Sequence, residues 1–145
     1  MNTRTLLNLV ATSAALLSTC LVSGAAGAAD PAKSEATVHP LLKQDLPEIP
    51  GKEVNMLTVE YLPGGASLPH RHDAEVFVYV LEGSVVMQVD GQKAVTLGPG
   101  GTFHEGPDDI HRQSRNASAT QPAKFLVFMI KDKDKPATRP VTSTK

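Results

Sequence analysis

From residue 54 onward the chain reads as short apolar runs separated by Gly and Pro. VNMLTVEY (54–61) alternates apolar and polar positions and stops at Pro63-Gly64-Gly65. VFVYVL (76–81) is β-branched and aromatic, and stops at Glu82-Gly83. SVVMQV (84–89) meets Asp90-Gly91, a two-residue hairpin signal in which both turn positions take positive φ. KAVTL (93–97) returns and ends at GPGG (98–101), and TFHE (102–105) is a short strand before GPDD turns. HRQSR (111–115) follows, and KFLVFMI (124–130) closes the series. Short strands at regular spacing, with Gly/Pro turns and no clear helical period, predict an all-β domain over 53–131, a small barrel or sandwich.

VFVYVL and FLVFMI are apolar on both faces, whereas a half-exposed antiparallel strand alternates. One face fills the barrel. The other is expected to be covered by a second sheet, by an N-terminal arm or by a second subunit. A domain this small has a marginal core, so a homodimer is the expected assembly.

The flanks read differently. Residues 30–52 are polar and carry Pro31, Pro40, Pro47 and Pro50, which predicts an irregular arm in which LLKQDL makes at most a short helical turn. Residues 132–145 lack apolar periodicity and read as a mobile, disordered tail. Residues 1–29 hold one charge, Arg4, then LLNLVATSAALLSTCLV and small residues around Ala26-Gly27-Ala28. That is the layout of a secretory signal peptide cleaved near Ala28 or Ala29, predicting a periplasmic or secreted protein with no membrane contact after cleavage. A retained anchor would want about twenty strongly apolar residues. Lipoprotein processing at Cys20 is disfavoured by Thr19 and by the apolar run continuing past it.

Cys20 is the only cysteine, so the mature chain has no disulfide and no thiolate nucleophile or ligand. Of the 14 Lys and Arg only Arg4 precedes residue 30, leaving 13 against 15 acidic residues. That balance, without a basic cluster, gives no reason to expect nucleic acid as a partner.

The chemistry rests with histidine. His39 lies in the arm and is given no function. His70 and His72 are two apart, which on a strand puts both on one face about 6.6 Å apart along the chain. Two such imidazoles can reach one ion, or they can be a solvent-facing pair at a strand end.

Gly64, His70-Arg71-His72 and VFVYVLEG ending at Gly83, followed by Gly101 and FHEGPDDIH ending at His111, resemble the two motifs of the cupin superfamily. The resemblance implies a single jelly-roll β-barrel with one divalent metal on three histidines and a glutamate. By position, His70, His72 and His111 match the histidines. The family's glutamate position falls on Val76. Glu75 is one residue early and points to the opposite face unless the strand bulges, and Glu105 is the alternative fourth ligand. Gly106 stands where a proline is usual, and Asn116 comes one residue later than the pattern places it. His104 has the opposite parity to Glu105, so at most one of them faces the pocket of a regular strand; His104 is the weak candidate for proton transfer. Arg71 and Arg112 read as surface charges, while Phe103 and Met87 either line the pocket or pack in the core.

The implied cofactor is one divalent transition metal, with Fe, Mn, Zn, Cu and Ni all open. The apolar interior expected from Val76, Val78 and Val80 suits a small aromatic or enol/diketone-type ligand. Two functions are expected from this reading: a metal-dependent enzyme, dioxygenase-like or an isomerase/lyase, or a non-catalytic periplasmic binder of metal or small ligand.

Overall fold

The computed structural model describes residues 36–141. The expected signal peptide, Cys20, the start of the arm (30–35) and the last four residues of the tail lie outside the described residues. The described strands are β1 (Ala36–Asp45), β2 (Lys52–Tyr61), β3 (Ala66–Ser67), β4 (His70–Arg71), β5 (Ala74–Glu82), β6 (Val85–Val89), β7 (Val95–Leu97), β8 (Thr102–Glu105), β9 (His111–Asn116), β10 (Ala123–Asp132) and β11 (Arg139–Pro140). They form two antiparallel sheets, β1-β2-β10-β5-β8 and β11-β4-β9-β6-β7, with β3 paired to β9. This is the expected all-β jelly-roll.

The period of two along β5 and β10 builds the interior. Ala74, Val76, Val78 and Val80 point inward from β5, and Phe125, Val127 and Met129 meet them from β10. The register sets Val78 opposite Val127 and Val76 opposite Met129. Across the gap, β6 contributes Val85, Val89 and Met87. Gly83 carries the chain from one sheet to the other. Its φ is 68°, and an added Cβ would collide with the Pro122 carbonyl and Ala123, so only glycine fits the corner.

Three expectations need correction. The arm is not irregular over residues 36–45, and LLKQDL is not helical: these residues are β1, paired with β2 along its whole length. Pro40 misleads because it sits at a register shift on a sheet edge, where a missing N–H disrupts no inner ladder. The tail is not free after Asp132. Lys133 N–H donates to Gly51 O, and Arg139 and Pro140 pair with Arg71 and His70. A two-residue strand is dictated by its partner, so its own sequence carries no period. Finally, Asp90-Gly91 is not a two-residue hairpin. Only Gly91 has positive φ, and the loop runs from 90 to 94. Asp90 is held sideways instead, its N–H on Ile110 O and its carboxylate on Arg112.

The outer face of β5 leaves Phe77, Tyr79 and Leu81 exposed. The second sheet lies on the other side, and β1 is at the far edge of the same sheet, so neither covers this face.

Candidate metal centre and its cavity

His70 lies on β4, His72 at the corner where the chain leaves β4 for β5, and His111 at the start of β9, directly opposite His70 in register. The rings of His70 and His72 stand 4.8 Å apart centre to centre, those of His70 and His111 5.1 Å. Each offers a nitrogen, and these atoms lie within 4.8 Å of one another, so the three are positioned to hold one metal ion. Nitrogens about 2.1 Å from a shared ion stand at most about 4.2 Å apart, so a small rotamer adjustment closes the site.

The backbone selects the tautomers. His70 Nδ1 is 2.7 Å from Leu68 O, and His72 Nδ1 is 2.6 Å from Ala137 O. A carbonyl only accepts, so both histidines carry the proton on Nδ1 and keep the Nε2 lone pair for an ion. The second acceptor comes from the C-terminal segment, which β11 and the Arg139–Asp73 ion pair fasten beside the H-x-H motif. His111 is buried, and Phe103 stacks behind its ring at 5.7 Å. Among the described residues neither of its nitrogens has a hydrogen-bond partner, and nor has Glu105 Oε2. Three buried polar atoms without partners, beside two histidines with prepared lone pairs, fit a cation.

Glu105 is the acidic residue at this site. It is 2% exposed, with Oε2 3.0 Å from His111 Nδ1, off the line of a hydrogen bond, and 4.0 Å from His72 Nε2. Its register partner on β5 is Val76, the position where the family pattern puts its glutamate. The carboxylate has moved one strand sideways and kept the same face. Burial pushes Glu105 up, but His111 beside it and the charges of His72 and His70 outweigh that and hold it below the ordinary carboxylate range. Burial, reinforced by the two neighbouring histidines, pushes His70 down against the hydrogen bond to Leu68.

Glu75 is not a ligand here. It points outward and bonds His104 Nε2 at 2.7 Å on the exposed face, with the His104 ring against Phe77. The same parity removes His104 from the pocket and ends its candidacy for proton transfer. Met87 is wholly buried in the core, Phe103 backs His111, and Arg112 pairs with Asp90 at the surface. Sequence parity also concealed one residue. The register shifts between Gln88 and Val89, so Arg112 is an extra residue in β9. That bulge lets His111 and Ser114, three apart, both point inward, and it accounts for the late Asn116.

The histidines border a cavity of about 430 Å³ between the sheets. Its walls are Leu57, Val59, Phe125, Val127 and Met129, with Ala36 and Val38 of β1 on one side and Ala137, Thr138 and Pro140 of the C-terminal segment on the other. Tyr61, Ser67 and Ser114 add hydroxyls, and among the described residues no Lys, Arg, Asp or Glu lines the cavity. Tyr61 Oη lies 2.7 Å from Ser67 Oγ and 2.7 Å from Ser114 Oγ. Burial pushes the Tyr61 phenol above its ordinary range, so it stays neutral at neutral pH.

Two facing antiparallel sheets that enclose three convergent histidines and a buried glutamate define a jelly-roll protein whose three histidines are positioned to hold a metal ion. Residues 57–129 match the family described as Cupin domain, and the chain belongs to it. Among curated proteins none matches. Among solved structures, the polyketide cyclase RemF from Streptomyces resistomycificus is 27% identical, with a TM-score of 0.57 over 77% of this chain and 74% of that one. A cupin-like protein from Thermotoga maritima is 18% identical, with a TM-score of 0.59 over 78% and 80%. An oxalate oxidase is 22% identical, with a TM-score of 0.57 over 86% and 63%. The last two share the fold.

Proposed function

We propose that this chain is an exported metal-dependent cupin enzyme that acts on a small, mostly apolar molecule reaching the ion through oxygen. An aromatic or enol/diketone-type substrate and a dioxygenase-like reaction fit best. The observation that carries the reading is the opening of the histidine triad onto a cavity walled by aliphatic and aromatic side chains. Such walls suit an apolar body, whereas a free sugar would leave its hydroxyls without partners. The polyketide cyclase at 27% identity supports a cavity that accepts oxygen-bearing carbon skeletons.

When bound, the ion supplies Lewis acidity toward the substrate's oxygens and, if redox-active, a place for O₂. His70 and His72 present Nε2 because Leu68 O and Ala137 O hold the protons on Nδ1. Glu105 brings the one negative charge, as a fourth ligand or as the partner that orients His111. Leu57, Val59 and Val127 exclude water from the substrate's body.

A second reading, a non-catalytic binder of metal or small ligand, is favoured because no carboxylate or lysine among the described residues lines the cavity to act as general base. Oxygen uptake separates the two. Uptake driven by a flavonol or β-diketone, and lost in His70→Ala, supports the enzyme; tight metal binding with no uptake across a broad panel supports the binder. Imidazole sites favour Cu²⁺ and Zn²⁺ over Mn²⁺ and Fe²⁺, so Zn or Cu is expected to compete for a site loaded outside the cytoplasm. Elemental analysis of natively exported protein showing Fe or Mn alone would sink that expectation. The exposed Phe77, Tyr79 and Leu81 are proposed to be covered by a second copy in a homodimer, which sedimentation tests directly.

A further inference from the structure

The hydroxyls of Tyr61, Ser67 and Ser114 form one hydrogen-bonded chain in the cavity wall. Tyr61 Oη is its centre, at 2.7 Å from each serine. Ser67 and Ser114 are register partners on β3 and β9, so the backbone fixes both ends of the chain. Tyr61 is itself fixed, with its ring against Phe125 at 5.5 Å. Ser67 is half-buried, while Ser114 and Tyr61 are buried.

Proton counting sets what this chain can do. Three hydroxyls carry three protons, and two hydrogen bonds use two of them. With Ser67 donating to Tyr61 and Tyr61 to Ser114, the spare proton is on buried Ser114. With the order reversed, Ser67 holds the spare proton, where water can take it, and Ser114 keeps lone pairs toward the cavity. In the first order Ser114 can donate to a ligand in the cavity and in the second it can accept from one, so either order leaves Ser114 able to bond a partner there.

We propose that Tyr61 and Ser114 form an oxygen-recognising subsite, distinct from the three histidines, that selects ligands carrying a hydroxyl or carbonyl on an otherwise apolar body. The ligand class is then a neutral molecule with oxygen at two places, one for the ion and one for Ser114, and an apolar middle against Val59, Phe125 and Val127. Because no Lys or Arg among the described residues lines the cavity, an anionic group at this second place would find no cation there. Ser114 determines specificity rather than chemistry. Its hydroxyl can switch between donor and acceptor, so the subsite accepts a ketone or an alcohol there.

This rests on the reading above that the cavity takes a small apolar ligand, and the test keeps the metal separate. The mature full-length chain, zinc-loaded and zinc-free, is titrated with toluene and with p-cresol, two probes of similar shape that differ by one hydroxyl. Binding is followed by the methyl shifts of Met129 and Val127, both in the cavity wall. A net hydrogen bond is worth roughly two- to tenfold in affinity. The wild type is expected to prefer p-cresol, and that preference is expected to fall about fivefold in both Ser114→Ala and Tyr61→Phe, with toluene affinity unchanged. An unchanged preference in both variants overturns the subsite, and so does failure of either probe to saturate the cavity. Zinc uptake, measured beside these titrations, reports on the histidines and Glu105 and not on Ser114, so a failed metal site and a failed oxygen subsite give different results.

Discussion

The two halves of this barrel use the same kind of strand for different ends. Where β5 faces β6, Val80, Val85 and Met87 have no solvent exposure, and the space between the sheets is filled. Where β2 and β10 face β3, β4 and β11, the aliphatic side chains stop short of one another and a cavity of about 430 Å³ remains, with the histidines at its edge. Both halves are apolar. The difference lies in what closes them: the five-residue, almost wholly buried strand β6 on one side, and on the other the exposed edge strand β1 and the two-residue strands β3, β4 and β11. An apolar sheet face makes a core when a regular partner fills it, and a binding site when its partner is short.

The largest expected effect breaks the closed half. Met87→Ala should cost about 2–5 kcal/mol of stability, the range for a large side chain removed from a filled core, and leave the metal stoichiometry of the folded fraction unchanged. Urea denaturation with elemental analysis checks both. Its counterpart is His70→Ala/His111→Ala, which should abolish metal retention after dialysis and leave the circular dichroism of the barrel intact. Protein still carrying one equivalent of metal would show that the ion sits elsewhere.

In the open half acid should act through His70 and Glu105. For His70 the unfolded chain protonates near the ordinary 6.5 and the folded chain only below that. Between those pH values the unfolded state binds more protons, so stability is full above about 6.5 and falls as the pH drops through that window. Glu105, also held below its ordinary 4.5, adds a loss that begins below that value and is complete only once the pH has passed its lower folded pKa. Urea midpoints of the metal-free protein should therefore fall steadily from pH 7 to pH 4, and the segment of the decline near pH 6 should vanish in His70→Ala. The smallest effect is expected at the cavity's rim. Val38→Ala, at a position 53% exposed, should change stability by no more than about 0.5 kcal/mol while loosening ligand affinity. A large loss of stability there would mean that β1 is part of the core after all.

Much of this was legible in the chain itself. The strands at 54–61, 76–81, 102–105 and 124–130 lie where alternation and Gly/Pro punctuation put them, because the period of two and the turn residues are local properties. The histidines were legible too, as were the absence of a glutamate from Val76 and the choice between Glu105 and Glu75. Other features were set by partners far along the sequence. β1 carries exposed residues and a proline, and it is a strand because β2 offers it an unpaired edge. Ala137 has no distinctive side chain, and its carbonyl matters only because β11 lands beside His72.

The sequence by itself determined the inventory: an all-β barrel, three histidines within reach of one another, a single cysteine at position 20 and an apolar interior. Only the tertiary structure decided which carboxylate joined the histidines. Glu105 and Glu75 lie on neighbouring strands, and the pairing of Val76 with Glu105 turns one inward while the period of two turns the other to solvent. The tertiary structure likewise decided that Ser114 shares a face with His111. One extra residue in β9 reverses the parity, and parity is counted along a strand only until a bulge interrupts it.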